Sequence, residues 1–89
     1  MAWTINYTDA AQKELRKLDR QIARRIVSFM TERIAPLENP RSTGKALTGN
    51  VFGAFWRYRL GDYRIVCEVQ DGEVSVLVVG IGNRSEVYE

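Results

Sequence analysis

Residues 54–69 read Ala54-Phe55-Trp56-Arg57-Tyr58-Arg59-Leu60-Gly61-Asp62-Tyr63-Arg64-Ile65-Val66-Cys67-Glu68-Val69. Two runs rich in aromatic and β-branched residues flank Gly61-Asp62, a pair that tolerates the backbone angles of a two-residue hairpin turn. A loop of that length fixes the register. Leu60 faces Tyr63, Arg59 faces Arg64, Tyr58 faces Ile65, Arg57 faces Val66 and Trp56 faces Cys67. Opposed residues share a face of the sheet and the faces alternate along each strand. One face, made of Trp56, Tyr58, Leu60, Tyr63, Ile65 and Cys67, is therefore a core. The other gathers Arg57, Arg59 and Arg64. Like charges directly opposed destabilise a ladder. With only Asp62 and Glu68 nearby to balance them, three guanidinium groups there favour an anion or phosphate site over an ordinary solvated face.

Working outward, Gln70-Asp71-Gly72-Glu73 centres Asp-Gly in a second predicted two-residue turn. That turn sets Val69 against Val74, Cys67 against Val76 and Ile65 against Val78, in a third strand over 74–81. Leu77 and Val79 then fall on the arginine face beside Val66 and Arg64, giving it an apolar floor. The strand runs out at Gly80-Ile81-Gly82, next to the Gly61-Asp62 turn. A tail beginning at Asn83 could bring Arg84 and Tyr88 over the arginines.

Upstream, Trp3-Thr4-Ile5-Asn6-Tyr7 alternates as a first strand. Thr8 or Asp9 caps a helix, with Asp9 and Gln12 at capping-box spacing. Ala11, Leu15 and Leu18 form its apolar stripe. Asp19 caps a second helix whose apolar face is Ile22, Ile26, Phe29, Met30 and Ile34. Pro36 ends it, because proline disfavours a helical residue before it. From Pro36 to Gly53 the chain reads as a loop anchored in the core by Leu47, with Arg41 and Lys45 exposed, either as candidate phosphate contacts or simply for solubility. The fold class is α+β: an N-terminal strand, an α-helical hairpin and a three-stranded antiparallel meander, forming a small sheet with the helices on one face.

Eighty-nine residues at 45% hydrophobic and net charge +2 make one domain, 1–89, with enough apolar material for a core. The charge is segregated. Residues 10–25 hold six basic and two acidic groups, 41–66 five and one, and 67–89 one and five, which points to a basic surface for a polyanion or acidic partner. There is no histidine and one cysteine. That removes the usual general base, a histidine triad and a zinc site, and Cys67 on the apolar face reads as a structural thiol. No metal, cofactor or small-molecule ligand is expected. No signal peptide and no apolar run of about 18 residues is visible, so no membrane association is expected and the cytoplasm is the default.

Three blocks carry a family resemblance: Lys45-Ala46-Leu47-Thr48-Gly49, then Trp56 to Val66, then Gly80-Ile81-Gly82-Asn83-Arg84-Ser85-Glu86-Val87-Tyr88. With the helical half, the whole chain resembles the RelE/ParE toxin superfamily of type II toxin–antitoxin systems. The ending Arg84 to Tyr88 is similar to the RelE branch. The resemblance implies an mRNA interferase: a ribosome-dependent endoribonuclease that cuts mRNA in the A site by attack of the 2′-hydroxyl, giving a 2′,3′-cyclic phosphate and a 5′-hydroxyl. By position it assigns catalysis to Arg57, Arg59, Arg64, Arg84 and Tyr88. It also implies a cognate RelB-like antitoxin, and the ribosome and mRNA as partners.

The chemistry fits those residue types. Fixed guanidiniums stabilise the charge that builds on phosphate oxygens in the transition state. Tyr88 is the available base; its ordinary pKa of about 10 is too high, but nearby cations favour the phenolate. The leaving 5′-oxygen is assigned to Arg84 or Arg59. The alternative is a ParE-like toxin that inhibits DNA gyrase without cutting RNA, which needs the fold and hairpin but not Arg84 and Tyr88 together.

Overall fold

The alternation of Trp3 to Tyr7 produces strand β1, Thr4–Tyr7, in a computed structural model that describes residues 2–47 and 55–83. Thr8, not Asp9, is the cap of α1 (Asp9–Lys17): its Oγ1 accepts from the Ala11 N–H at 3.0 Å. The Gln12 amide reaches back to the Tyr7 carbonyl at 3.1 Å. Asp19 caps α2 (Arg20–Phe29), accepting from the Gln21 N–H at 3.2 Å. The second helix does not stay α-helical to its end. Met30–Ile34 form a π-helical turn, with the Ala35 N–H bonded to the Met30 carbonyl at 2.9 Å. Steps of four overshoot a 3.6-residue turn. The wider turn brings Ile34 back into line with Ile26 and Met30, and all three are fully buried.

The sheet has the order β1-β5-β4-β3-β2, with β2 Lys45–Ala46, β3 Phe55–Leu60, β4 Tyr63–Gln70 and β5 Ser75–Asn83. β1 lies parallel to β5 at one edge. The first hairpin has the expected register throughout, from Trp56 opposite Cys67 to Leu60 opposite Tyr63, and Gly61 turns with φ +59°. The helices cover one face. Ala11, Ile26, Met30 and Ile34 meet Tyr58, Ile65, Cys67, Val76, Val78 and Ile81, with Trp56, Leu60 and Tyr63 packed around them.

Three expectations need correction. The second turn is longer than two residues. Asp71–Glu73 form a 3₁₀ turn closed by Val74 in the left-handed region (φ 50°, ψ 49°), so Val69 pairs with Val76 and Cys67 with Val78. A slip of two residues leaves every side chain on its own face, so hydrophobic alternation cannot detect it. Next, a bulge follows: Val66 pairs with Gly80, Ile65 with Ile81 and Arg64 with Gly82. Ile81 thereby joins the core, and the residues beside Val66 and Arg64 are glycines rather than Leu77 and Val79. Finally, the 36–47 segment is not anchored by Leu47. Leu37 packs on the core, Pro40 is buried, and the Tyr58 hydroxyl donates to the Pro40 carbonyl at 2.6 Å. Leu47 is half-buried, and its N–H bonds the Phe55 carbonyl at 3.3 Å as the chain enters the sheet through the short β2.

Candidate functional site

Alternation along β3 and the tight turn after it place Arg57, Arg59 and Arg64 on the face away from the helices. Arg59 and Arg64 are directly opposed. β2 extends this face, with Lys45 opposite Arg57 and Ala46 opposite Trp56. The three arginines, Lys45, Thr43 and Gly44 line a cavity of about 280 Å³. Arg64 is only 7% exposed while Arg59 is exposed. On the neighbouring strand Gly82 lies beside Arg64 and Gly80 beside Val66, and neither glycine carries a side chain that would fill the face.

Gly44 sets the cavity wall. Its φ is +81°, and a Cβ there would lie 2.5 Å from the Arg57 carbonyl oxygen and 2.7 Å from Trp56 Nε1. Trp56 Nε1 donates to the Thr43 carbonyl at 2.6 Å, which draws the loop onto β3. Only glycine permits that approach. Thr43 and Gly44 were missed as site residues. The one signal for them in sequence is a glycine immediately before the basic residue of β2.

Of the residues read as candidate phosphate contacts, Lys45 is at the cavity and Arg41 is not among its lining residues. Arg41 Nη1 and Nη2 donate to Asp71 Oδ1 and Oδ2 at 2.9 and 3.0 Å, bridging the 36–47 segment to the β4–β5 loop. This hydrogen bond holds the Asp71 carboxyl below its ordinary value and the Arg41 guanidinium above its own. Arg84 and Tyr88, the tail residues assigned to catalysis, lie outside the described residues.

The other ionisable groups of note are structural. Burial pushes the Cys67 thiol up, so it stays protonated and unreactive in the core. Burial, then Cys67, pushes the Tyr7 phenol up to about 12, and burial likewise raises Tyr58. None of these is a base near neutral pH. Among the described residues no group of three or more His, Cys, Asp or Glu side chains could hold a metal ion. None of the described helices is long and apolar enough to cross a membrane.

A sheet with a basic cavity on one face and a helical hairpin on the other defines a class, and comparison with known proteins gives the same class. A family model described as the ParE toxin of type II toxin–antitoxin systems matches residues 5–88. The chain is 35% identical over 84 residues to Toxin RelE of Mycobacterium tuberculosis, covering 94% of this chain and 84% of that one. It is 33% identical over 90 residues to the mRNA interferase toxin RelE of Escherichia coli, covering 99% and 92%. The fold matches the toxin in the intact E. coli RelBE toxin–antitoxin complex with a TM-score of 0.74 at 27% identity, covering 92% and 96%. The chain belongs to the RelE/ParE superfamily of type II toxins.

Proposed function

We propose that this toxin is a ribosome-dependent endoribonuclease that cuts mRNA in the A site. The observation that carries the reading is the cavity in which Arg57, Arg59, Arg64 and Lys45 converge, together with the name mRNA interferase borne by a relative 33% identical. The scissile phosphate sits among the guanidiniums. The 2′-oxygen attacks phosphorus and gives its proton to the Tyr88 phenolate. The P–O5′ bond breaks, leaving a 2′,3′-cyclic phosphate and a 5′-hydroxyl once the leaving oxygen is protonated. Buried Arg64 is a fixed charge of the kind that stabilises the developing oxyanion without reorganising. Arg57 and Arg59 bind and orient the phosphate. Guanidiniums are poor proton donors, whereas an ammonium can release its proton. Lys45, opposite Arg57, is therefore a better donor to the 5′-oxygen than Arg59 or Arg84. Arg84 is assigned a further charge that favours the Tyr88 phenolate.

A cognate RelB-like antitoxin is the proposed partner. Solved relatives such as the E. coli toxin are held in complexes of that kind, and an acidic segment complements the basic cavity. The test is primer extension on a defined message in a purified translation system, with and without ribosomes, for wild type and Tyr88→Phe. The expected result is a cut inside the A-site codon that needs ribosomes and vanishes in the variant. The ParE description of the matching family favours one other reading, a gyrase-directed toxin. Intact message with falling gyrase activity would establish that reading instead.

A further inference from the structure

A second basic depression lies around the corner from the cavity. The strand β2 covers β3 only at Trp56 and Arg57, so among the described residues no strand pairs with the edge of β3 beyond them. There the last turns of α2 and the π-helical turn form the opposite wall of a groove of about 500 Å³, lined by Arg24, Arg25, Phe29, Arg33, Arg59 and Leu60, with Ser28 and Glu32 beside them. Arg24, Arg25, Arg33 and Arg59 are all exposed, and among the described residues none of the four has a carboxylate partner. The core pattern does not call for this arrangement. Ile22, Ile26 and Met30 are the residues that α2 and its continuation turn inward, so these arginines could be replaced by neutral residues without loss of packing. Arg59 lines both this groove and the cavity, so the two form one cationic path over the edge of the sheet.

We infer that this groove is a second binding site for RNA phosphodiesters, taking nucleotides next to the one held in the cavity. The inference rests on the nuclease reading for its choice of polyanion. Guanidiniums spaced along a groove track successive backbone phosphates, and an apolar or aromatic floor between them suits a ribose or base. Phe29 and Leu60 supply that floor. Continuity through Arg59 favours a strand leaving the cavity over an acidic protein segment docked independently.

The test compares full-length wild type with the Arg24→Gln/Arg25→Gln/Arg33→Gln variant and its all-lysine counterpart. The probes are 2′-O-methylated single-stranded RNAs of three and nine nucleotides, vacant ribosomes and poly-glutamate. Wild type should bind the long RNA about 10-fold or more tighter than the short one. The glutamine variant should lose that difference and keep the short-RNA affinity, and lysine should restore it. The log–log salt slope should flatten by about 0.7 for each phosphate contact removed. Loss confined to vacant ribosomes would identify ribosomal RNA, rather than the cut strand, as the source of the phosphates. Unchanged binding both in the RNA arms and with vacant ribosomes, equal loss with the short RNA, or loss confined to poly-glutamate would overturn the assignment. A protein that binds as expected but leaves message intact would sink the nuclease reading alone.

Discussion

The Glu14 carboxylate on α1 accepts a hydrogen bond from the Ile81 backbone N–H on β5, at 2.8 Å across 67 residues of sequence. β1 pairs with β5 only from Ser75 to Val78 and then gives way to the helix. Beyond that point no strand among the described residues lies beside the outer edge of β5, and Glu14 serves the buried Ile81 in its place. Glu14→Ala should cost about 1–3 kcal/mol by leaving a buried donor unsatisfied. Glu14→Gln, which keeps the acceptor, should cost well under half of that. Urea unfolding of both variants checks the difference, and amide exchange at Ile81 should accelerate in the alanine variant alone. Equal destabilisation by both would show that charge, not the hydrogen bond, matters.

Gly44 is held against the Arg57 carbonyl with φ +81°. Gly44→Ala should destabilise by more than about 1 kcal/mol, the cost of the left-handed backbone alone before any clash. It should also lift the 43–46 segment from β3. Fluorescence of Trp56, whose indole is bonded to Thr43, should then shift towards that of a solvated indole, and RNA affinity should fall because Lys45 moves with the segment.

Arg64 is the buried cation of the site. Arg64→Gln should lower the cleavage rate about 10²–10³-fold, the scale of a lost preorganised oxyanion contact. Lys45→Gln should slow cleavage most where protonation of the leaving oxygen limits the rate. An RNA with a 5′-bridging sulfur, which leaves without a proton, should rescue Lys45→Gln and not Arg64→Gln. Rescue of neither would remove Lys45 from the proton path.

The core imposes an alkaline limit on stability. Cys67 and Tyr7 both have folded pKa values above their unfolded ones. Between those two values the native state binds more protons than the unfolded chain, so stability is full below the unfolded pKa and falls as pH rises. The decline should begin near pH 8.5 with Cys67 and steepen near pH 10 with Tyr7, by at most about 1.4 kcal/mol per pH unit per group. Cys67→Ala should flatten the first window while costing stability at pH 7. On the acid side, Asp71 has a depressed pKa. Its contribution is present above about pH 4 and lost as pH falls through its folded value, and for an exposed pair it amounts to no more than about 1 kcal/mol.

The first hairpin was legible to the residue because a two-residue turn leaves one register. Its two faces and the convergence of Arg57, Arg59 and Arg64 follow from that. The second hairpin was not, since registers two residues apart bury the same side chains. The bulge that places Gly80 and Gly82 beside the arginine pairs has no signature in alternation. Lys45 was found through its charge. Arg41 carried the same signal, and it was drawn to Asp71 by a loop whose length could not be read. Thr43 and Gly44 act through backbone, which composition does not announce.

The parallel pairing of β1 with β5 bears on how such a toxin is made. Among the described residues the first strand has no neighbour in the sheet until Ser75–Asn83 has been synthesised, whereas the cavity is lined from the 43–45 segment, β3 and β4. The sheet thus stays open along one side of β4 until β5 has been made. Arg64 of the cavity lies on β4, so it gains its neighbour Gly82 only when the strand made late slots between β1 and β4.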